Sequence, residues 1–125
     1  MLIQAITIED QRYEAYRKSV DFIQRYIFPG GHLPSVAVMS DIAARHTDLR
    51  LLGLEDIGLH YATTLNRWRD NFTARLDEVR RMGYSEPFIR MWEYYLCYCE
   101  GAFLERATSD VQIVFSKPDS RLQLV

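Results

Sequence analysis

The residues of this chain that could carry chemistry are His32, His60 and Tyr61, the carboxylates Glu93 and Glu100, and the cysteines Cys97 and Cys99. The cysteines form a C-x-C pair in helical surroundings, where two residues apart means about 200° around the axis. A mutual disulfide is therefore not expected, and no second cysteine pair or histidine cluster completes a zinc site. Buried, reduced thiols are the expectation, with no metal. Glu93 and Glu100 stand seven apart, close enough in phase to pair on one helix face, but solvated helix charges are the simpler reading. His60 precedes Tyr61 at the head of an apolar stripe, so the histidine reads as structural or rim-forming. Tyr61 itself reads, from spacing alone, as a core aromatic.

The elements that must position these residues are punctuated clearly. Tyr26-Ile27-Phe28-Pro29-Gly30-Gly31-His32-Leu33-Pro34-Ser35 follows an amphipathic run through Val20, Phe22, Ile23, Tyr26 and Ile27. Proline fixes φ and lacks a donor, while glycine opens conformations closed to other residues, so a helix must stop here in one defined way. Taken alone the stretch is a helix C-terminus and turn. Upstream, Leu2–Ile8 is a short β-branched run that reads as a strand buried on both faces inside a parallel sheet. A helix is expected from Ile8 or Glu9 to Ile27, interrupted near Tyr16. Downstream, Ser35 or a neighbour caps a short helix through Val36, Met39, Ile42 and Ala43.

Leu49–Ile57 then reads as a second strand with a ragged, glycine-containing end. Tyr61, Leu65, Trp68, Phe72, Leu76, Val79 and Met82 make one helical stripe. Gly83 closes that helix and Pro87 opens another through Phe88 to Phe103. Val111–Phe115 is a third strand. The order β-α-α-β-α-α-β predicts an α/β fold. Three strands make a poor sheet, and the first needs a partner that the chain does not supply; the expectation is the second half of a larger unit.

At 125 residues, 48% hydrophobic and 26% charged, the composition is that of one globular domain. A net charge of −2 argues against a general nucleic-acid binder. No apolar run approaches a membrane span and no leader opens the chain, so a cytoplasmic location is expected.

Four segments recur in order: Tyr26 to Ser35 with its FPGG-x-LPS motif, then Gly58 to Leu65 with Trp68, forming HY-x-x-TL-x-x-W. Tyr94 to Phe103 and Gln112 to Ser116 follow. Residues 2 to 117 resemble the C-terminal part of cyclopropane-fatty-acyl-phospholipid synthases and mycolic acid cyclopropane synthases. These are S-adenosylmethionine-dependent methyltransferases. The resemblance implies the C-terminal half of a Rossmann-like class I methyltransferase fold. Residues 1–125 would form one partial domain, with residues 59–106 a helical excursion over the substrate pocket. Leu2–Ile8, Leu49–Ile57 and Val111–Phe115 would be its fifth, sixth and seventh strands.

The implied chemistry is methyl transfer from S-adenosylmethionine to the cis double bond of an unsaturated phospholipid acyl chain, then proton loss and ring closure. The cofactor's glycine loop would lie upstream, since no G-x-G-x-x-G occurs here, and the isolated chain is expected to be inactive. A bound bicarbonate would serve as base, held by Gln4, Ile6 and Tyr61. Many relatives carry histidine at the position of Gln4. A phenol suits this role because it donates to an anion while its ring packs beside lipid. Tyr61 and Cys99 match the catalytic candidates, although Cys99 on an apolar face also reads as core. Cysteine or arginine often stands where His32 does, so His32 carries no base claim. Phe28, Pro29, Gly30, Gly31, Leu33 and Trp68 would wall the pocket.

The implied partners are the lipid, an N-terminal methyltransferase half or another chain, and transiently a membrane surface, at its inner face. A second copy is the remaining partner considered. The alternative is a free-standing, non-catalytic lipid-binding or dimerisation module, pairing through the edge of Leu2–Ile8. Trp68, Phe72, Trp92, Tyr95 and Phe103 would then form its contact surface or lipid cleft.

Overall fold

A computed structural model describes residues 1–121. Three strands form one sheet: β1 (Leu2–Ile8), β2 (Arg50–Asp56) and β3 (Thr108–Ser116), in the order β1-β3-β2. Both outer strands run antiparallel to β3. Among the described residues Leu2–Ile8 is an outer strand whose one neighbour, β3, runs antiparallel to it. Met1 and Leu2 are exposed, and β1 is fully buried only at Thr7 and Ile8. The doubly covered strand is β3, where Val111, Ile113 and Phe115 are at most 3% exposed. An apolar run shows that a strand is covered, but not which way its neighbours point. β3 is one neighbour of β1, and the opposite edge of β1, where the further partner was expected, is open among the described residues.

The glycine-containing irregularity of β2 is a bulge. Leu51 opposes Phe115 and Gly53 opposes Val114, leaving Leu52 as the extra residue. Beyond β1 the chain makes a 3₁₀ turn (Asp10–Arg12) and the short helix α1 (Tyr13–Tyr16), then breaks. A π-helical turn at Ile23–Ile27 replaces the end of the long helix expected here.

Helix α2 (Val36–His46) begins at Ser35, whose Oγ accepts from the Val38 amide at 3.3 Å. Asp10 Oδ1 accepts from Ala37 N at 2.8 Å, so two side chains satisfy the helix start. The stripe from Tyr61 to Met82 divides into α3 (Gly58–Thr73) and α4 (Leu76–Arg81). The division falls at Arg75, whose φ of −116° and ψ of 19° leave the helical region. Helix α5 (Glu86–Leu104) starts as read, with Ser85 Oγ accepting from Phe88 N and proline in the first turn.

Side chains alternate across the sheet. One face of β3 presents Val111, Ile113 and Phe115 to Val36, Met39 and Ala43 of α2. Against the other, α3 and α5 pack through Ala62, Leu65, Leu96 and Phe103, with Ile6 and Tyr61 beside them. The β2–α3 junction is tied to β3 because Asp56 Oδ1 accepts from Gly58 N at 2.9 Å and from the Ser109 hydroxyl. The Ser109 hydrogen bond, above all, holds the Asp56 carboxyl below its ordinary range.

Candidate functional site

The Pro/Gly segment forms one wall of an apolar cleft of about 490 Å³. Gly30 supplies the left-handed turn, with φ +81°, and Gly31 N donates to Phe28 O at 2.8 Å. A Cβ on Gly31 would lie 2.9 Å from that same oxygen, so the turn admits no larger residue. Three bonds moor the wall. Ile8 N donates to Pro34 O at 3.0 Å, Leu33 N to the Tyr16 hydroxyl at 3.2 Å, and Gln24 Nε2 to Gly31 O at 3.0 Å. His32 packs its ring on Tyr16 and Tyr13.

The opposite wall is one face of α5, with Tyr95, Cys99 and Phe103, and the end of β1 contributes Ile6 and Ile8. Burial pushes the Tyr95 phenol up to about 12 and the Cys99 thiol up to about 11. Both are therefore neutral at physiological pH, which keeps this wall free of charge and suited to hydrocarbon.

A second, polar cluster sits on the same sheet face. Gln4 Nε2 donates to Asp110 Oδ2 at 2.7 Å, and Gln112 Nε2 reaches Gln4 Oε1 at 3.4 Å. Asp110 is 1% exposed, and its Oδ1 is buried without a hydrogen-bond partner. Tyr61 packs on Phe103 with ring centroids 4.9 Å apart. Its phenol is raised above the ordinary value, first by burial and then by the negative charge of Asp110.

The residues expected at the site thus divide. Ile6, Phe28, Gly31, Leu33 and Cys99 line the cleft. Tyr61 is not a lining residue; it contacts Phe103, which is. Pro29 and Gly30 shape the turn without lining the cleft, and Trp68 lies 47% exposed on α3 against Tyr61. Glu93 is solvated as expected, but Glu100 is not. It pairs with Arg69 and accepts from Asn66 Nδ2 at 2.9 Å. Asp110 and Tyr16 were not singled out for the site, whereas Tyr95 and Phe103, named for the lipid cleft of the alternative module, do line it. Among the described residues, no group of three His, Cys, Asp or Glu side chains could hold a metal ion.

Residues 1–113 match the sequence profile described as mycolic acid cyclopropane synthetase. The chain belongs to this family. It is 46% identical over 101 residues to the tuberculostearic acid methyltransferase UfaA1 of Mycobacterium tuberculosis, covering 81% of this chain and 24% of that protein. It is 40% identical over 96 residues to the cyclopropane-fatty-acyl-phospholipid synthase of Escherichia coli, covering 77% and 24%. The crystal structure of mycolic acid cyclopropane synthase CmaA1, complexed with SAH and CTAB, superposes with a TM-score of 0.80 at 25% identity. The match covers 94% of this chain and 44% of that one. The chain therefore spans about a quarter of the length of these curated relatives and under half of the solved structure. Its mixed α/β architecture is part of the methyltransferase fold of cyclopropane synthases.

Two ligands implied by the family meet different obstacles here. Gly31 folds onto the backbone of Phe28 and Gly30 serves the turn rather than a cradle, so the described residues do not fit the amino-acid and ribose parts of S-adenosylmethionine. Bicarbonate at Gln4, Ile6 and Tyr61 would sit beside Asp110, a buried carboxylate that already lacks one partner. Like charges at that range repel strongly in a dry site. The residues as placed do not fit it.

Cys99 fits a packing role better than a nucleophilic one, because a thiol raised to about 11 holds almost no thiolate at neutral pH. Iodoacetamide at pH 8 should alkylate exposed Cys97 first, leaving Cys99 unmodified until denaturant is added. Peptide mass spectrometry reads the order, and prior labelling of Cys99 would contradict it.

Proposed function

We propose that this chain forms the acyl-chain-binding part of an S-adenosylmethionine-dependent methyltransferase. The enzyme would convert the cis double bond of an unsaturated phospholipid acyl chain into a cyclopropane ring. The observation that carries this reading is the mainly apolar cleft between the Phe28–Leu33 segment and the uncharged face of α5, in a chain of the cyclopropane synthase family. The cleft's apolar lining takes up hydrocarbon, and Tyr61 with Asp110 lies just beyond Phe103 and Ile6. Residues 1–125 would then be one partial domain, with residues 59–106, which take in nearly all of α3 and the whole of α4 and α5, as its pocket cover. The methyl-donor site is assigned to the N-terminal half of the enzyme or to another chain.

No described helix is long and apolar enough to cross a membrane. The lipid substrate nevertheless calls for transient contact with a membrane surface from the cytoplasmic side. One observation favours the second reading, a non-catalytic lipid-binding or dimerisation module. Leu2 is 61% exposed on a strand edge that has no partner among the described residues.

The test uses the full-length protein with methyl-labelled S-adenosylmethionine and vesicles of monounsaturated phospholipid, with products read by gas chromatography and mass spectrometry. Ring formation is expected. Tyr61→Phe should lower turnover about 100-fold while cofactor affinity stays within twofold. A wild type that binds lipid without transferring label would favour the module. Unchanged turnover in Tyr61→Phe would remove the phenol from the reaction.

A further inference from the structure

The cleft is polarised from floor to mouth. Ile8 and Phe103 on its floor are 7% and 4% exposed, whereas the Arg12 side chain, which also lines it, is 56% exposed. Among the described lining residues two carry a full charge, and their signs are opposite: Arg12 and Asp21. Both border Tyr98 of α5, a lining residue itself. Phe22, next to Asp21 in the chain, packs on the Tyr98 ring with centroids 5.9 Å apart. The Tyr98 phenol is raised first by burial and then by the charge of Asp21, and Arg12 opposes the rise.

These two charges do not neutralise each other. Among the described residues Arg12 and Asp21 form no ion pair, and Arg12 Nη1 reaches Glu9 Oε2 at 3.9 Å, an exposed contact that contributes little. Asp21 Oδ1 accepts from Gln24 N at 2.8 Å, and Gln24 Oε1 accepts from Asp21 N at 3.0 Å. That box fixes the carboxylate and leaves Oδ2 without a hydrogen bond among the described residues. An apolar floor with separated unlike charges at the mouth matches an amphiphile whose head carries both signs. We propose that Arg12 and Asp21, beside Tyr98, form a headgroup subsite for a zwitterionic phospholipid with a primary ammonium. The phosphodiester lies against the Arg12 guanidinium, which offers it paired N–H donors, and the ammonium donates to Asp21 Oδ2. A head with negative charge alone meets Asp21 without compensation. The subsite selects the lipid that enters and takes no part in the methyl transfer. The inference rests on the reading of the cleft as an acyl-chain site, and deepens it by naming the head.

The experiment measures binding to the full-length protein by calorimetry at low salt. The probes are short-chain phosphatidylethanolamine and phosphatidylglycerol of equal acyl length, both monomeric in water. The ethanolamine lipid should bind about fivefold more tightly, as suits a partly exposed charge pair. Asp21→Asn keeps the capping oxygen and so the fold, yet should bring the two lipids within about twofold. Arg12→Gln should weaken both lipids about fivefold, since both carry the phosphodiester. Phosphoethanolamine without acyl chains should bind at least about tenfold more weakly than the lipid. Equal binding of the two lipids by the wild type overturns the inference. So does a preference that survives Asp21→Asn, or an unchanged affinity in Arg12→Gln. Equal affinity for free phosphoethanolamine overturns it too, because the mouth would then serve a small phosphate compound. Methyl transfer to monounsaturated vesicles of each lipid is followed in parallel. A wild type that prefers the ethanolamine lipid but transfers no methyl overturns the methyltransferase reading and leaves the headgroup subsite standing. A wild type that binds neither lipid overturns both.

Discussion

Ile113→Ala should lower the unfolding free energy by about 3–4 kcal/mol, read as a shift in urea midpoint at unchanged slope. Ile113 is 0% exposed at the centre of β3, opposite Ile3 of β1 and Leu54 of β2. Its side chain is surrounded by residues of β1 and α2. Truncation removes three methyl or methylene groups and leaves a hollow, and β3 cannot settle into it because ladders hold both its edges. Leu54→Ala is the contrast. That residue is 43% exposed on an outer strand, so its loss should stay under about 1 kcal/mol. Equal losses at the two positions would show that β3 is not the packing centre.

Gly58→Ala should cost about 2–3 kcal/mol, although it adds a single methyl to a helix start. The new Cβ would lie 2.5 Å from Ser109 Oγ, 3.1 Å from Asp56 Oδ1 and 3.2 Å from Ser109 Cα. The first contact alone requires movement, and backbone on the far side limits it. The same carboxylate oxygen accepts from Gly58 N and Ser109 Oγ, so any shift also loosens Asp56. Ser109→Ala by itself should cost about 1 kcal/mol through the lost hydrogen bond. Combined with Gly58→Ala it removes the tightest contact, so the pair should cost less than the sum. Strict additivity in that double-mutant cycle would exclude the clash as the cause.

Where the chain's turns carry local chemistry, the sequence reading and the structure agree. Ser85 and Pro87 open α5, Ser35 opens α2, and Pro29 through Pro34 closes what precedes it. Each depends on the residue's own φ or donor, so three or four neighbours suffice to read it. The division between α3 and α4 has no such mark, because Ala74 and Arg75 are both good helix formers. Strand existence was also visible, whereas strand direction was not, since Leu2–Ile8 looks the same beside parallel or antiparallel neighbours.

The site was legible to the same degree. Phe28, Gly31 and Leu33, named for the pocket through the FPGG-x-LPS resemblance, line the cleft because the turn's backbone turns them toward it. Trp68, named through the same resemblance, stands on the shoulder of the α3 stripe against Tyr61. Asp110 escaped notice because one acid before an apolar run resembles the end of a turn. Only the register Ile6↔Asp110 makes it a neighbour of the cleft.

The hydrogen bonds of Gln24 have a consequence for how this protein tolerates sequence change. Its backbone N donates to Asp21 Oδ1 and its side-chain oxygen accepts from Asp21 N, closing a reciprocal box at the start of the π-helical turn. Its amide nitrogen reaches forward to Gly31 O. One side chain thus spans the segment from end to end and works as a ruler. Surface connections ordinarily absorb added residues at small entropic cost, but an insertion between Phe28 and Gly31 would carry the Gly31 carbonyl out of that reach. Sequence drift can alter which side chains this wall displays far more readily than how many residues it contains.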